Sequence, residues 1–196
     1  MLSLIILAAG KSTRMQGINK LLAKVNGVPM LRGVTQAALK SNVDEVIVVL
    51  GFEAEKVKET IADLPCRIVI NRDYEKGQSS SLIAGMRAIN KSTLAVLILP
   101  GDLARIETSS INLIVQSYIK EGNHIISAAY NGRLGHPILL SRELFDEITL
   151  ITEQSSGLKS VVMNHRNEIR IVETNTENVL TDVDSPDDLR KLADKH

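Results

Sequence analysis

Three cationic side chains, Lys11, Arg14 and Lys20, follow an apolar run and a glycine, with no acid anywhere in the first 20 residues. The run Leu2-Ser3-Leu4-Ile5-Ile6-Leu7 reads as a buried strand. It stops at Ala8-Ala9-Gly10. Small residues let a backbone come close to a ligand, and Gly10 and Gly17 can take turns closed to other residues. A buried strand that opens into a small, basic loop is a phosphate-binding arrangement at the carboxyl end of a sheet. The spacing is neither that of a Walker A loop nor G-x-G-x-x-G.

Four further stretches carry groups that could do chemistry. Leu97-Ile98-Leu99-Pro100-Gly101-Asp102 delivers one carboxylate where an apolar strand ends, and an Asp there can hold Mg²⁺ against phosphate oxygens. Residues 173–188 contain six acids and no Lys or Arg. Asp182 and Asp184 can point one way from an extended segment and, with Asp102, complete an all-oxygen Mg²⁺ site. Asp184 and Asp187 also suit the positive end of a last helix opened by Pro186. Asn71-Arg72-Asp73-Tyr74-Glu75-Lys76-Gly77-Gln78-Ser79-Ser80-Ser81 leads into a helix whose free N–H groups and hydroxyls could receive a nucleotide. Asn131-Gly132-Arg133-Leu134-Gly135-His136-Pro137 joins two strand-like runs. His136 reads as a positioning residue or loop organiser rather than a general base.

The positioning elements follow from periodicity. Strands are expected at residues 45–50, 66–70, 93–99, 124–129, 137–140 and 168–172. Helices are expected from Val28 to about Ser41, and over 53–63, 78–89, 108–121, 141–148 and 158–163, with a last one from Pro186. Ile111, Ile114, Val115 and Ile119 should face the core. Early alternation of strand and helix predicts an α/β fold, three-layered and Rossmann-like, with a mostly parallel sheet. The 196 residues suit a single domain spanning 1–196.

Composition narrows the partners. Lys plus Arg is 23 and Asp plus Glu is 23, so bulk attraction to nucleic acid or to an acidic membrane is not indicated. Aromatic content of 3% is poor material for base-stacking platforms. Cys66 is the single cysteine, which suits a reducing compartment. No apolar run approaches the ~20 residues that span a bilayer, and the first strand follows Met1 directly, so a cytoplasmic location is expected. The absence of H-E-x-x-H, C-x-x-C and G-x-S-x-G disfavours zinc hydrolase and α/β-hydrolase chemistry.

The loop pattern L-A-A-G-x-x-x-R-M-x-G-x-N-K-L-L resembles the signature of the MobA-like nucleotidyltransferases, most closely the molybdenum cofactor cytidylyltransferases. Three later segments are similar to that family in the same order: Asn71 to Ser81, Gly101-Asp102 and Gly135-His136-Pro137. A fourth, Asp182-Val183-Asp184-Ser185-Pro186, resembles its D-I-D-T-P segment. The resemblance implies CMP transfer from CTP to the terminal phosphate of a molybdopterin-type acceptor, with Mg²⁺ and release of pyrophosphate. It implies catalytic roles for Arg14, Lys20 and Asp102. Leu7, Ala8, Ala9, Gly10, Lys11, Arg14, Lys20, Asn71, Gly77, Ser79 and Ser80 would bind the nucleotide. Arg133, Gly135 and His136 would face the acceptor, and Asp102 with Asp182 or Asp184 would hold the metal. A molybdenum hydroxylase or its maturation factor would be a transient partner. Leu103-Ala104-Arg105 departs from the family's usual continuation, which bears on the acceptor and on metal positioning. Alternatives are a sugar- or polyol-phosphate nucleotidyltransferase, a GTP-using relative, and a non-catalytic cofactor insertion factor.

Overall fold

Side-chain alternation along the first strand, β1 (Leu2–Ala8), decides what must cover it. Leu4, Ile6 and Ala8 point to one face and Ile5 to the other, and none is more than 3% exposed. A strand buried on both faces needs a layer on each side. The computed structural model describes residues 1–15, 19–183 and 185–193; the side chains of Arg14, Pro186 and residues 191–193 also lie outside the description.

After β1 come a short hairpin of β2 (Lys24–Val25) and β3 (Val28–Pro29), then α1 (Met30–Leu39), β4 (Glu45–Leu50), α2 (Ala54–Glu59) and β5 (Arg67–Ile70). They are followed by α3 (Gln78–Ala88), β6 (Ala95–Pro100), α4 (Thr108–Glu121), β7 (Ile125–Tyr130) and β8 (Arg133–Ser141). The chain continues through α5 (Phe145–Thr149), α6 (Leu158–Asn164), β9 (Ile169–Glu173) and α7 (Pro186–Ala193). Seven strands form one sheet in the order β5-β4-β1-β6-β8-β7-β9. Neighbours are parallel except where β8 runs against β6 and β7. This is the α/β fold with a largely parallel, helix-flanked sheet that the alternation predicts.

One core layer joins the even residues of β1 to Leu31, Val34 and Ala38 of α1, Val57 of α2 and Ile111, Ile114 and Val115 of α4. The other joins Ile5, Ile47, Val49 and Ile98 to Leu82 and Met86 of α3, Ile148 of α5 and Val161 of α6. Ile119 departs from expectation: it is 73% exposed, and Tyr118 packs against the core instead. The α1 helix begins at Met30 rather than Val28 because Val28 and Pro29 are used in the hairpin. Its Asn26-Gly27 turn has both residues at positive φ, as a two-residue turn of this kind requires. The strand expected at 137–140 extends back to Arg133 through its pairing with β7.

The order of connections places a crevice. From β1 the chain steps outward to β4 and β5, then returns across α3 to β6 on the other side of β1. Loops after β1 and β6 therefore leave the sheet side by side, with Leu7 opposite Pro100. Open α/β sheets bind ligands at this kind of switch point.

Two consequences can be measured. A methyl group at Gly85 of α3 would lie 2.7 Å from Ile5 Cγ2, so G85A should destabilise by about 1–3 kcal/mol in chemical unfolding. His165, after α6, lies 2.9 Å from Glu147 and 3.4 Å from Glu168. The hydrogen bond to Glu147 leads the effects that raise its pKa above the usual 6.5. The folded state thus keeps the proton longer than the unfolded chain, and this support is lost as pH rises through the raised value. The Tm advantage of wild type over H165Q should be present at pH 6 and shrink toward pH 9.

Candidate active site

Two adjoining cavities occupy the crevice. The first, about 360 Å³, is lined by residues 7–13, Lys20 and Leu21 from the basic loop. Tyr74, Gly77, Gln78 and Ser81 from the approach to α3, with Pro100 and Asp102 after β6, complete it. The loop is fastened at several points. The Met15 N–H donates to the Ser12 carbonyl, and the Lys20 N–H donates to Ser12 Oγ (3.3 Å). Ser12 holds a positive φ of 51° at the bend. Gly51 allows the next strand's end to come close, since a methyl there would meet the side chains of Ala9 and Tyr74.

The charge at the base of this cavity is paired. Lys20 donates from its ammonium to the Asp102 carboxylate, and the two side chains are only 16% and 17% exposed. At the mouth, Lys11 lies 2.6 Å from Glu75 and above the Tyr74 ring. The Glu75 carboxylate holds the Lys11 ammonium above its usual pKa. The Asp102 carbonyl accepts from Val183 N–H (3.2 Å), which ties the acidic segment to the end of β6.

The second cavity, about 270 Å³, lies on the β8 side. Leu7, Gln78 and Pro100 line both spaces, so a ligand in one faces a ligand in the other. Leu82, Ile98, Ile138, Ile151, Leu158 and Val162 give the second cavity an apolar wall. Ser79, His136, Glu153 and Lys159 add polar groups. His136 is half-buried and lines this space. Burial pushes its imidazole below the usual pKa, against the opposing effects of a hydrogen bond to the Ile98 backbone and of the Asp102 and Asp182 charges. Its Nδ1 and the Ser79 hydroxyl are buried without hydrogen-bond partners among the described residues.

The residues expected to bind ligands separate into groups. Leu7, Ala8, Ala9, Gly10, Lys11, Lys20, Gly77 and Asp102 line the first cavity. Ser79 and His136 line the second. Asn71 and Ser80 line neither: Asn71 Nδ2 donates to Ser80 Oγ (2.9 Å) and Ser81 Oγ (3.1 Å), and Ser80 Oγ donates toward the Gly77 carbonyl (2.8 Å). They shape the start of α3 from behind. Arg133 is exposed at the tip of the β7–β8 hairpin, and Gly135 is buried beneath Val179, where a side chain would collide with its carbonyl. Arg14 has its backbone in the single turn Thr13–Met15. Glu153 and Lys159 were marked by no motif, because they reach the second cavity from a connection far in sequence from the other segments that line it.

Leu103 explains the departure after Asp102. It is 1% exposed and packs in the core, and Ala104 packs toward Met30 and Val183. Residues 103–105 line neither cavity.

A divalent ion suits the donor chemistry in part. Asp102 presents a carboxylate to the first cavity and already holds a cation there, the Lys20 ammonium. Asp182 is exposed and near enough to share with Asp102 in acting on His136. No cluster of three or more His, Cys, Asp or Glu among the described residues is arranged around one ion. Asp184 lies outside the described residues.

Comparison with known proteins matches this geometry. The chain is 32% identical over 158 residues to the bifunctional protein GlmU of Caldanaerobacter subterraneus subsp. tengcongensis, covering 78% of the chain but 34% of that protein. The chain thus spans about a third of that relative's length. It is 24% identical to nicotine blue oxidoreductase of Paenarthrobacter nicotinovorans, covering 96% of the chain and 94% of that protein. The fold superposes on Rv0371c of Mycobacterium tuberculosis H37Rv with a TM-score of 0.88 at 24% identity, covering 99% and 97% of the two chains. Rv0371c has also been solved in complex with manganese. Residues 4–169 match the MobA-like NTP transferase domain, and the chain belongs to that family.

Proposed function

We propose that this protein transfers a cytidylyl group from CTP to the phosphomonoester of a molybdopterin-type acceptor. The observation that carries a two-substrate transfer is the pair of cavities meeting at Leu7, Gln78 and Pro100. CTP occupies the basic first cavity, and the acceptor's body occupies the more apolar second one. The choice of cytosine and of the pterin rests on the resemblance of the Ala8-Ala9-Gly10 loop and its companion segments.

A phosphomonoester oxygen attacks the α-phosphorus of CTP. The bond from that phosphorus to the bridging oxygen of the β-phosphate breaks, and pyrophosphate leaves. The nucleophile is already anionic near neutral pH, so the chain has no proton to remove. Its task is alignment and neutralisation of charge. Small residues 8–10 let the phosphates approach the backbone. Lys20 and Arg14 neutralise the triphosphate as negative charge moves to the leaving group. His136 orients the acceptor from the β8 side. When bound, a divalent ion at Asp102, joined by Asp182 or Asp184, would supply Lewis-acid polarisation of phosphate oxygens. That Rv0371c, which shares the fold, has been solved with manganese supports use of a divalent ion.

The test is pyrophosphate release in Mg²⁺ with molybdenum-bearing molybdopterin, comparing CTP, GTP, ATP and UTP. CTP should be used in strong preference to the others. Release with GTP alone would overturn the base assignment, and release only with a sugar phosphate would overturn the acceptor. Silence with every nucleotide, from a folded protein that binds the pterin, would favour a cofactor insertion factor. D102N should lower kcat at least about 100-fold, and K20M should lower kcat/KM for CTP by a similar factor. An unchanged kcat/KM in either variant would remove that residue from the site.

A further inference from the structure

The start of α3 is already occupied by an anion that belongs to the chain. Glu153, in the loop between α5 and α6, accepts a hydrogen bond from the Ser79 N–H at 2.6 Å. A helix start carries unpaired N–H groups and favours negative charge. The contact is built from both sides. Gly77 sits at a φ of 98° with the Glu153 side chain where its own would be. Gly157 sits at a φ of 57°, and a methyl there would lie 2.8 Å from Ser79 Oγ. Two glycines in left-handed conformations thus let the loop lie flat on the helix start.

A simple helix cap would leave no polar group unanswered at this place, yet two are. Ser79 is 5% exposed and its hydroxyl has no partner among the described residues, in a wall of the second cavity. His136 Nδ1, in the same wall, is likewise without one. Lys159, two residues beyond Gly157, is the one basic side chain other than His136 lining this cavity, and it is exposed and makes no ion pair among the described residues. One end of the segment 153–159 therefore supplies a carboxylate that fills an anion position. The other end supplies a cation with nothing to neutralise.

We propose that Glu153 is an internal substitute for the acceptor's phosphomonoester. On binding, the phosphomonoester takes the position of the carboxylate, accepts from the Ser79 N–H and hydroxyl, and is held by Lys159. The loop carrying Glu153 lifts from α3 in the same event. This rests on the reading of the second cavity as the acceptor's, and it adds a phosphate seat and a gate that no motif in the sequence marks. Lys159 and Ser79 are binding residues in this scheme. Glu153 is a competitor that keeps the seat closed to weak or misplaced ligands.

Phenyl phosphate is a suitable probe, because it joins a phosphomonoester to an apolar ring of a size the cavity can take. It should be titrated calorimetrically into wild type, E153Q, E153A, K159M and S79A, with neither nucleotide nor metal present. Removing the competing charge should tighten binding by E153Q and E153A about fivefold, and K159M should weaken it by about the same factor or more. S79A should weaken it by a smaller factor. Thermal unfolding of each variant separates a cap from a gate. A lowered Tm in E153A with unchanged affinity in both Glu153 variants would show a cap only, and would overturn the proposal. Binding that K159M leaves unchanged would overturn the phosphate seat, as would no binding by any variant. The titration involves no turnover. Failure of CMP transfer with these affinity changes intact would reject the proposed reaction and leave the gate standing.

Discussion

Pairing of β1 with β6 is the constraint on which the rest depends. Leu7 stands opposite Pro100, so the basic loop and the segment bearing Asp102 leave the sheet at the same height and side by side. Every feature of the first cavity is downstream of this register. A one-residue slip would turn Leu4 and Ile6 from one core layer into the other and carry Asp102 away from Lys20. Burial of β1 on both faces is what makes such a slip costly, since each of its core side chains is worth about 1.5–3 kcal/mol when fully buried. The site is held in register by hydrophobic packing a few residues away from it.

Electrostatics in the crevice is arranged as exchangeable pairs. Lys20 and Asp102 neutralise each other at one end, and Lys11 and Glu75 do so at the mouth. Glu153 answers the start of α3. Under the proposed reaction, each is a contact that an incoming phosphate replaces with a stronger charge-assisted one. Lys20 and Asp102, both largely buried, need each other most, because an isolated ion there carries a heavy desolvation cost. The same cost is what pushes the His136 imidazole below its usual pKa.

Much of the fold was legible in the chain because its signals are local. Apolar runs such as 45–50 and 95–100 are strands whatever surrounds them, and the spacing of Ile111, Ile114 and Val115 marks a helix face. Asp102 and the loop from Leu7 to Lys11 were legible for the same reason: each follows a strand end. What escaped was set by contacts between distant segments. Nothing in the run Asn71 to Ser81 tells that Asn71 turns back to brace two serines while Gln78 faces both cavities. Glu153 sits in a stretch without periodicity, and its meaning comes from a partner 74 positions away. Arg133 and Gly135 were read together with His136 because they are neighbours in sequence, whereas alternation along β8 and the hairpin tip separate them. Leu103 looked like a departure in the site and is a core residue, since the chain dives inward directly after Asp102.

The single reversed strand has a bearing on how such a protein can change over time. Because β8 runs against β6, it brings His136 and Ile138 to the second cavity beside the α5–α6 connection, while the first cavity is walled by the loops after β1 and β6 and by the approach to α3. Leu7, Gln78 and Pro100 line both, and β8 and the α5–α6 connection line only the second. Substitutions in the hairpin or the connection can therefore reshape one ligand's surroundings while leaving the other's intact. A lineage built on this plan is able to hold one cavity constant and vary the other, one loop at a time.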